Sequence, residues 1–172
     1  VLDQSYTAIE VIVVDDGSSD ESPDVARAFG AQVRLIRIPN SGPAAARNAG
    51  LRVASGEFVQ FLDADDRLEP RKIQTHVDFF AAHPEIGLVY GDARCFTTEQ
   101  PDLRWYRRIP GGGDGPWIEA RSTEPGTWLE RCLGAPPFHS CCPLFRRALV
   151  ELYGGLNERL VASEDWELWI RL

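Results

Sequence analysis

Hydrophobic positions along this chain follow two rhythms. Short β-branched runs alternate with stretches whose apolar residues recur at helical spacing. Ile9 to Val14 is apolar except for Glu10, and it stops at Asp15-Asp16-Gly17-Ser18-Ser19-Asp20. A continuous run of this kind fits a strand buried on both faces. Ser22-Pro23 has the form of a helix N-cap with proline at the first helical position, and Gly30 closes that helix. A second strand is predicted over Val33 to Ile38. The turn residues Pro39-Asn40-Ser41-Gly42 lead into an alanine-rich helix from Pro43 to Ser55, ended by Gly56. Phe58 to Leu62 reads as a third strand running into Asp63-Ala64-Asp65-Asp66. A helix is predicted from about Pro70 to Ala82, stopped by His83-Pro84, and a fourth strand over Ile86 to Tyr90. Repeated strand–helix units imply an α/β fold with a largely parallel sheet.

The last third is patterned differently. Residues 99 to 126 are rich in Gly, Pro, Arg and acids around Gly111-Gly112-Gly113-Asp114-Gly115, the composition of a long loop. These glycines are not a phosphate loop, since no strand leads in and no Gly-Lys-Ser/Thr follows. Thr127 to Leu133 predicts a short helix, Ser140 to Phe145 a strand, and Glu164 to Leu172 a helix. No internal repeat is present.

With 172 residues, 44% of them hydrophobic, the chain suits one globular domain with its own core. A net charge of −8 argues against broad nucleic-acid binding, which wants a basic face. No run of about eighteen apolar residues marks a membrane-spanning segment. Val1 to Thr7 lacks a charged-then-apolar leader pattern, so a cytoplasmic location is expected. Lys72 is the only lysine; arginine supplies the remaining basic charge apart from three histidines. The four cysteines, Cys95, Cys132, Cys141 and Cys142, lack zinc-site spacing and read as reduced structural thiols.

Three acidic groups carry the candidate chemistry: Asp15, Asp16 and Asp20; Asp63, Asp65 and Asp66; and Glu164 with Asp165. The first two lie just past the C-terminal ends of predicted parallel strands, the edge at which open α/β sheets bind ligands. Asp and Ser before a helix also serve as caps, so the first group has a structural reading beside the functional one. Three carboxylates within four residues repel one another when close, and a divalent cation relieves that repulsion. Oxygen donors of this kind suit magnesium or manganese, with water and substrate phosphates completing the shell.

These residues fall into recognisable groups. Val13-Val14-Asp15-Asp16-Gly17-Ser18 with Asp20 is similar to the second-strand motif of family 2 glycosyltransferases. Asn40, Gly42 and Ala46-Arg47-Asn48-Ala49-Gly50 resemble that family's next helix, and Phe61-Leu62-Asp63-Ala64-Asp65-Asp66 resembles its D-x-D motif. Phe145-Arg146-Arg147, the Gly155 region and Ser163-Glu164-Asp165-Trp166 resemble its late arginine pair and acidic motif. The resemblance covers nearly the whole chain, in the family's order. It implies a three-layer α/β/α GT-A fold with a mostly parallel central sheet, as a single domain over residues 1–172 truncated at both ends. The family's first strand and helix would precede Val1.

The resemblance further implies an enzyme that moves a sugar from a nucleotide-diphosphate donor, UDP-linked, to a hydroxyl of a glycan, lipid or other acceptor, with inversion and with Mn2+ or Mg2+. Asp16, with Asp15 beside it, would contact the nucleotide base, and Arg47 would support the nucleotide side unless it pairs with a nearby acid. Asp63 would lie at the ribose, and Asp65, with Asp63, would hold the metal. Asp165 would be the general base, with Glu164 beside it. The Trp166 and Trp169 surroundings are expected to raise the Asp165 pKa. Asn48 reads as a structural hydrogen-bonding residue, and His139 as structural or lining the acceptor cleft. Trp105, Tyr106, Trp117 and Trp128 are candidates for stacking on a sugar. The parent protein would work at the cytosolic membrane face.

Other readings fit less well. A receiver-type signalling domain needs a later lysine, and none follows Lys72. A haloacid-dehalogenase-like phosphatase carries Asp-x-Asp after its first strand, not its third. A sugar-nucleotide-binding domain without catalysis stays open.

Overall fold

The apolar run at the N-terminus enters a ladder later than its pattern begins. In the computed structural model, which describes residues 1–100, 130, 132–133 and 139–172, β1 is Ile12–Asp16. Glu10 interrupts the run for a structural reason. Its Oε1 accepts hydrogen bonds from the Ser55 N–H (2.6 Å), the Ser55 hydroxyl (2.9 Å) and the Gly56 N–H (2.7 Å), fixing the turn after the alanine-rich helix.

The chain then runs through α1 (Ser22–Arg27), a 3-10 turn at Gly30–Gln32, β2 (Arg34–Ile38), α2 (Pro43–Val53), β3 (Phe58–Val59), α3 (Lys72–Ala82) and β4 (Leu88–Tyr90). It ends with β5 (Pro143–Arg146), α4 (Arg147–Leu152) and α5 (Glu164–Arg171). The stretch 101–129, with its glycines and Trp105, Tyr106, Trp117 and Trp128, lies outside the described residues. Of the helix expected over Thr127 to Leu133, residues 130, 132 and 133 are described and are helical.

β1 and β2 pair in parallel, with Asp15 opposite Arg37 and Asp16 opposite Ile38. The other ladder is not parallel. β5 lies between β3 and β4 and runs antiparallel to both, pairing Phe58 with Arg146 and Leu88 with Phe145. β3 and β4 therefore point the same way, as a strand–helix–strand unit requires, but the later strand separates them. Parallel pairing among the described residues is thus confined to β1–β2. β3 is also shorter than predicted. Gln60 leaves the ladder, and its side-chain amide donates to the Phe61 and Cys141 carbonyls at 2.7 and 3.0 Å.

Strand alternation sorts the core into two layers, because successive side chains point to opposite faces. Leu144 packs with Ile73 and Phe80 of α3, joined by Phe58 and Val89. Its neighbour Phe145 packs with Ala44 and Leu51 of α2, Val150 of α4, and Leu168 and Trp169 of α5, joined by Val59, Leu88 and Tyr90. Helices thus cover both faces of the β3–β5–β4 sheet. Arg146 closes its end: its guanidinium lies over the rings of Phe58 and Phe80 at 5.5 and 5.0 Å and pairs with Glu57. Arg147 bonds the Gly56 carbonyl and Glu151. The late arginine pair is therefore engaged in holding sheet and helix together. Among the described residues no helix is long and apolar enough to cross a membrane. All four cysteines are free thiols, with Cys132 and Cys142 buried.

Candidate functional site

The acidic residues after β1 are fixed by neighbouring backbone and by one arginine. Asp15 is buried. Its Oδ1 accepts the Ser18 N–H at 3.0 Å, and its Oδ2 lies 2.6 Å from Arg37 Nε, the residue opposite it in the parallel ladder. Hydrogen bonds from Ser18 and the Arg37 guanidinium hold the Asp15 carboxyl below its ordinary pKa. Asp16 accepts the Ser41 and Gly42 N–H groups, at 2.7 and 2.8 Å, one on each oxygen. It thereby ties the end of β1 to the start of α2. Asp20 accepts the Ser22 N–H at 3.0 Å just ahead of α1. All three carboxylates therefore fix the turns around them. Gly17 permits the close turn between them: its φ is +77°, and a Cβ there would sit 2.7 Å from the Asn40 nitrogen.

The three carboxylates after β3 have different surroundings. Asp63 Oδ1 pairs with Arg47 Nη2 at 2.6 Å, while Oδ2 accepts the Ser140 hydroxyl at 2.9 Å. Asp65 is exposed at the tip of the turn. Asp66 donates its N–H to the Asp63 carbonyl at 3.1 Å, and its carboxylate helps push up the pKa of the Cys141 thiol, whose main perturbation is its bond with Cys142. No three His, Cys, Asp or Glu side chains among the described residues form a ready cation cage. Beneath this loop, Lys72 donates to Gln60, which binds Cys141 in turn. Burial lowers the Lys72 pKa to about 7, opposed by the nearby Cys142 and Cys141 thiols.

The third acidic group reaches the second through Arg47. Arg47 lies on the inward face of α2 with 14% of its side chain exposed. Its Nη1 is 2.5 Å from Glu164 Oε1, and Glu164 is itself buried. One planar guanidinium thus bridges the loop after β3 and the first turn of α5. Asp165, next to Glu164, has its Oδ1 bonded to the Trp166 N–H at 2.7 Å. Burial raises the Asp165 pKa and the Glu164 charge adds to the rise; the Trp166 amide and Arg47 pull against it. The elevation expected from its tryptophan-flanked position is present. The indole of Trp166 donates to the Cys132 carbonyl at 2.6 Å, anchoring the same turn.

Asn48, beside Arg47, holds the approach to α5. Its Nδ2 donates to the Leu156 carbonyl at 2.8 Å and to Glu158 at 2.9 Å. The structural role expected of it holds. His76 and His83 lie on α3 and at its end. Burial and the nearby Lys72 charge lower the His76 pKa to about 3.

Three partners went unread in the sequence. Arg37 is marked only by its register opposite Asp15. Ser140 carries no local signal for its bond to Asp63. The Lys72–Gln60 pair joins a helix start to a strand end that nothing in the local pattern connects.

A family model described as glycosyl transferase family 2 matches residues 1–154. The uncharacterized glycosyltransferase YibD of Escherichia coli (strain K12) is 40% identical over 78 residues, 44% of this chain and 23% of YibD. Among solved structures, the fragment 1–349 of S. aureus TarS in complex with UDP superposes with a TM-score of 0.69 at 21% identity, covering 97% of this chain and 47% of that one. The mannosyltransferase PcManGT of Pyrobaculum calidifontis, in complex with GDP-Man and Mn2+, gives a TM-score of 0.60 at 24% identity, covering 96% of this chain and 44% of that one. These likenesses show the GT-A fold. The matched stretches cover less than half the length of each of the three.

Proposed function

The chain belongs to glycosyl transferase family 2, and we propose that it is the nucleotide-sugar-binding part of an enzyme that transfers a sugar from a nucleotide-diphosphate donor to an acceptor hydroxyl. The observation that carries this reading is the juxtaposition made by Arg47. The aspartate-rich loop after β3 and the Glu164–Asp165 turn are far apart in sequence, yet one guanidinium joins them. Donor-binding carboxylates and a carboxylate of raised pKa then share one cluster.

Each residue takes a role from its surroundings. The acceptor hydroxyl must lose a proton as it attacks, and Asp165 is the carboxylate suited to receive it, since burial makes it a stronger base than an exposed aspartate. Attack on the face opposite the leaving group inverts the anomeric centre. Asp15 and Asp16, at the end of β1, face the nucleotide base, and Asp63 faces the ribose. Both Asp63 oxygens already serve Arg47 and Ser140, so its part is to shape the donor side. Asp65 is exposed, a hard oxygen donor without a partner among the described residues. That fits a divalent cation, Mn2+ or Mg2+, bound by one carboxylate and completed by the donor's phosphates. When bound, such a cation stabilises the negative charge that develops on the leaving diphosphate.

TarS in complex with UDP and with UDP-GlcNAc, and PcManGT with GDP-Man and Mn2+, support a nucleotide-sugar donor and a divalent metal. UDP is the first nucleotide to test. The acceptor is a glycan, lipid or other hydroxyl compound, met at the cytosolic membrane face in polysaccharide assembly. The test is a calorimetric titration of UDP with and without manganese, on the wild type and Asp65→Ala. Manganese-dependent binding that disappears in the variant supports the reading. No binding of UDP or of other nucleoside diphosphates in the full-length protein sinks it. Binding without turnover of any supplied donor and acceptor makes the chain a sugar-nucleotide-binding module.

A further inference from the structure

We propose that Arg47 is a positioning residue: its fork holds the first turn of α5, and with it Asp165, against the loop that carries Asp63, rather than contacting the donor itself. The role rests on reading Asp165 as the general base.

Four observations carry it. First, the two arms of the guanidinium are committed, Nη1 to Glu164 at 2.5 Å and Nη2 to Asp63 at 2.6 Å, on a side chain only 14% exposed. Second, Glu164 is buried and has no other ion pair among the described residues. Without Arg47 it is an uncompensated buried carboxylate, a state a protein relieves by moving the group toward water. That movement would carry Asp165 with it. Third, the first turn of α5 has no ordinary cap: Ser163 adopts φ 61°, ψ 26° and makes no side-chain capping bond. The turn is held instead from outside, by Arg47 on Glu164 and by Cys132 on the Trp166 indole. Fourth, Asn48, the next residue on α2, grips both the N–H and the C=O of Leu156, on the segment leading into α5. Arg47 and Asn48 together make α2 the frame on which the late part of the chain is docked.

Lysine cannot reproduce this. An ammonium offers one point of charge, whereas the bridge needs two donors held apart in one plane. Glu164 is thereby also a positioning residue.

The test uses Arg47→Lys, Arg47→Met, Glu164→Gln and the double variant Arg47→Met/Glu164→Gln, with two readouts. Hydrogen exchange reads the geometry without any turnover. The Glu167 amide, bonded to the Ser163 carbonyl at 3.0 Å, is expected to exchange about tenfold faster in each single variant. Amides of α3 are expected to stay unchanged, and the double variant to exchange no faster than Arg47→Met, because the two residues act in one interaction and the second change also removes the buried charge. For turnover, kcat is expected to fall about 10- to 100-fold in Arg47→Lys and Glu164→Gln, while nucleotide Kd stays within about threefold. Unchanged exchange at Glu167, or additive effects in the double variant, overturns the proposal. A raised nucleotide Kd with kcat intact overturns it too and makes Arg47 a donor ligand. A wild type that binds no nucleotide defeats the glycosyl-transfer reading, and the exchange result still decides whether Arg47 holds α5.

Discussion

Asn48 and Leu156 share two hydrogen bonds: Oδ1 accepts the Leu156 N–H at 2.9 Å, and Nδ2 donates to its carbonyl at 2.8 Å. A side-chain amide mimics a strand partner here, and it needs Gly155 beside it. Gly155 has φ +73°, and a Cβ on it would lie 2.6 Å from Asn48 Oδ1. Asn48→Ala strands two backbone groups in a buried place and is expected to cost about 2–4 kcal/mol. Gly155→Ala meets both the backbone penalty and the clash, and is expected to cost about 2–3 kcal/mol. Urea denaturation of each variant measures the losses.

Asp165 trades stability for chemistry. Its folded pKa stands above the ordinary value, so its protonated form is favoured in the folded state. That contribution is complete below the unfolded pKa and is lost as pH rises through the folded value. Asp165→Asn is therefore expected to raise the thermal midpoint at pH 7 and to lose this advantage as pH drops below about 4. The same variant should transfer sugar about 100- to 10,000-fold more slowly. Calorimetry at the two pH values, with an assay at pH 7, checks both halves.

Lys72 gives a pH dependence of a different kind. Its folded pKa is near 7 and its ordinary value 10.5. Between these the unfolded chain holds the extra proton, so stability rises with pH across that window. Lys72→Met is expected to be more stable than wild type by a few kcal/mol below pH 7, and the gap should narrow steadily toward pH 10. A gap that does not vary with pH would mean that Lys72 keeps its proton when folded.

Ser163 is the only residue other than glycine with positive φ among the described residues. A left-handed conformation costs a residue with a Cβ roughly 1–2 kcal/mol, and Ser163 recovers none of it through a capping bond. Ser163→Gly is expected to stabilise the protein by about 1 kcal/mol, and Ser163→Val to destabilise it. Denaturant midpoints distinguish the two directions.

What could be read from the sequence, and what could not, divides along the range of the interactions involved. α2, α3 and β4 came from local pattern and turn chemistry within a residue or two, because capping, propensity and periodicity are local. The carboxylates stood out because acids at strand ends are a local signal as well. The surplus length given to β3 came from treating Gln60 as a strand residue, although its side chain reaches the Cys141 carbonyl. The bridge formed by Arg47 joins residues 16 and 117 positions away. No periodicity encodes that, and the sequence offered only a choice between a nucleotide contact and a pairing with an unnamed acid. The antiparallel entry of β5 was hidden for the same reason, since a strand's apolar run does not say which edge receives it.

The place of β5 has a consequence for how the chain comes together during synthesis. β1, α1, β2 and α2 are neighbours in sequence as well as in space, and can associate as soon as they leave the ribosome. β3 and β4 cannot complete their hydrogen bonding until the strand that separates them has been made, long after both. Until then each exposes an unpaired edge to any other chain nearby. The β3–β5–β4 sheet is therefore expected to close only once β5 has been made, and a nascent chain halted before residue 143 to be the form most prone to aggregate.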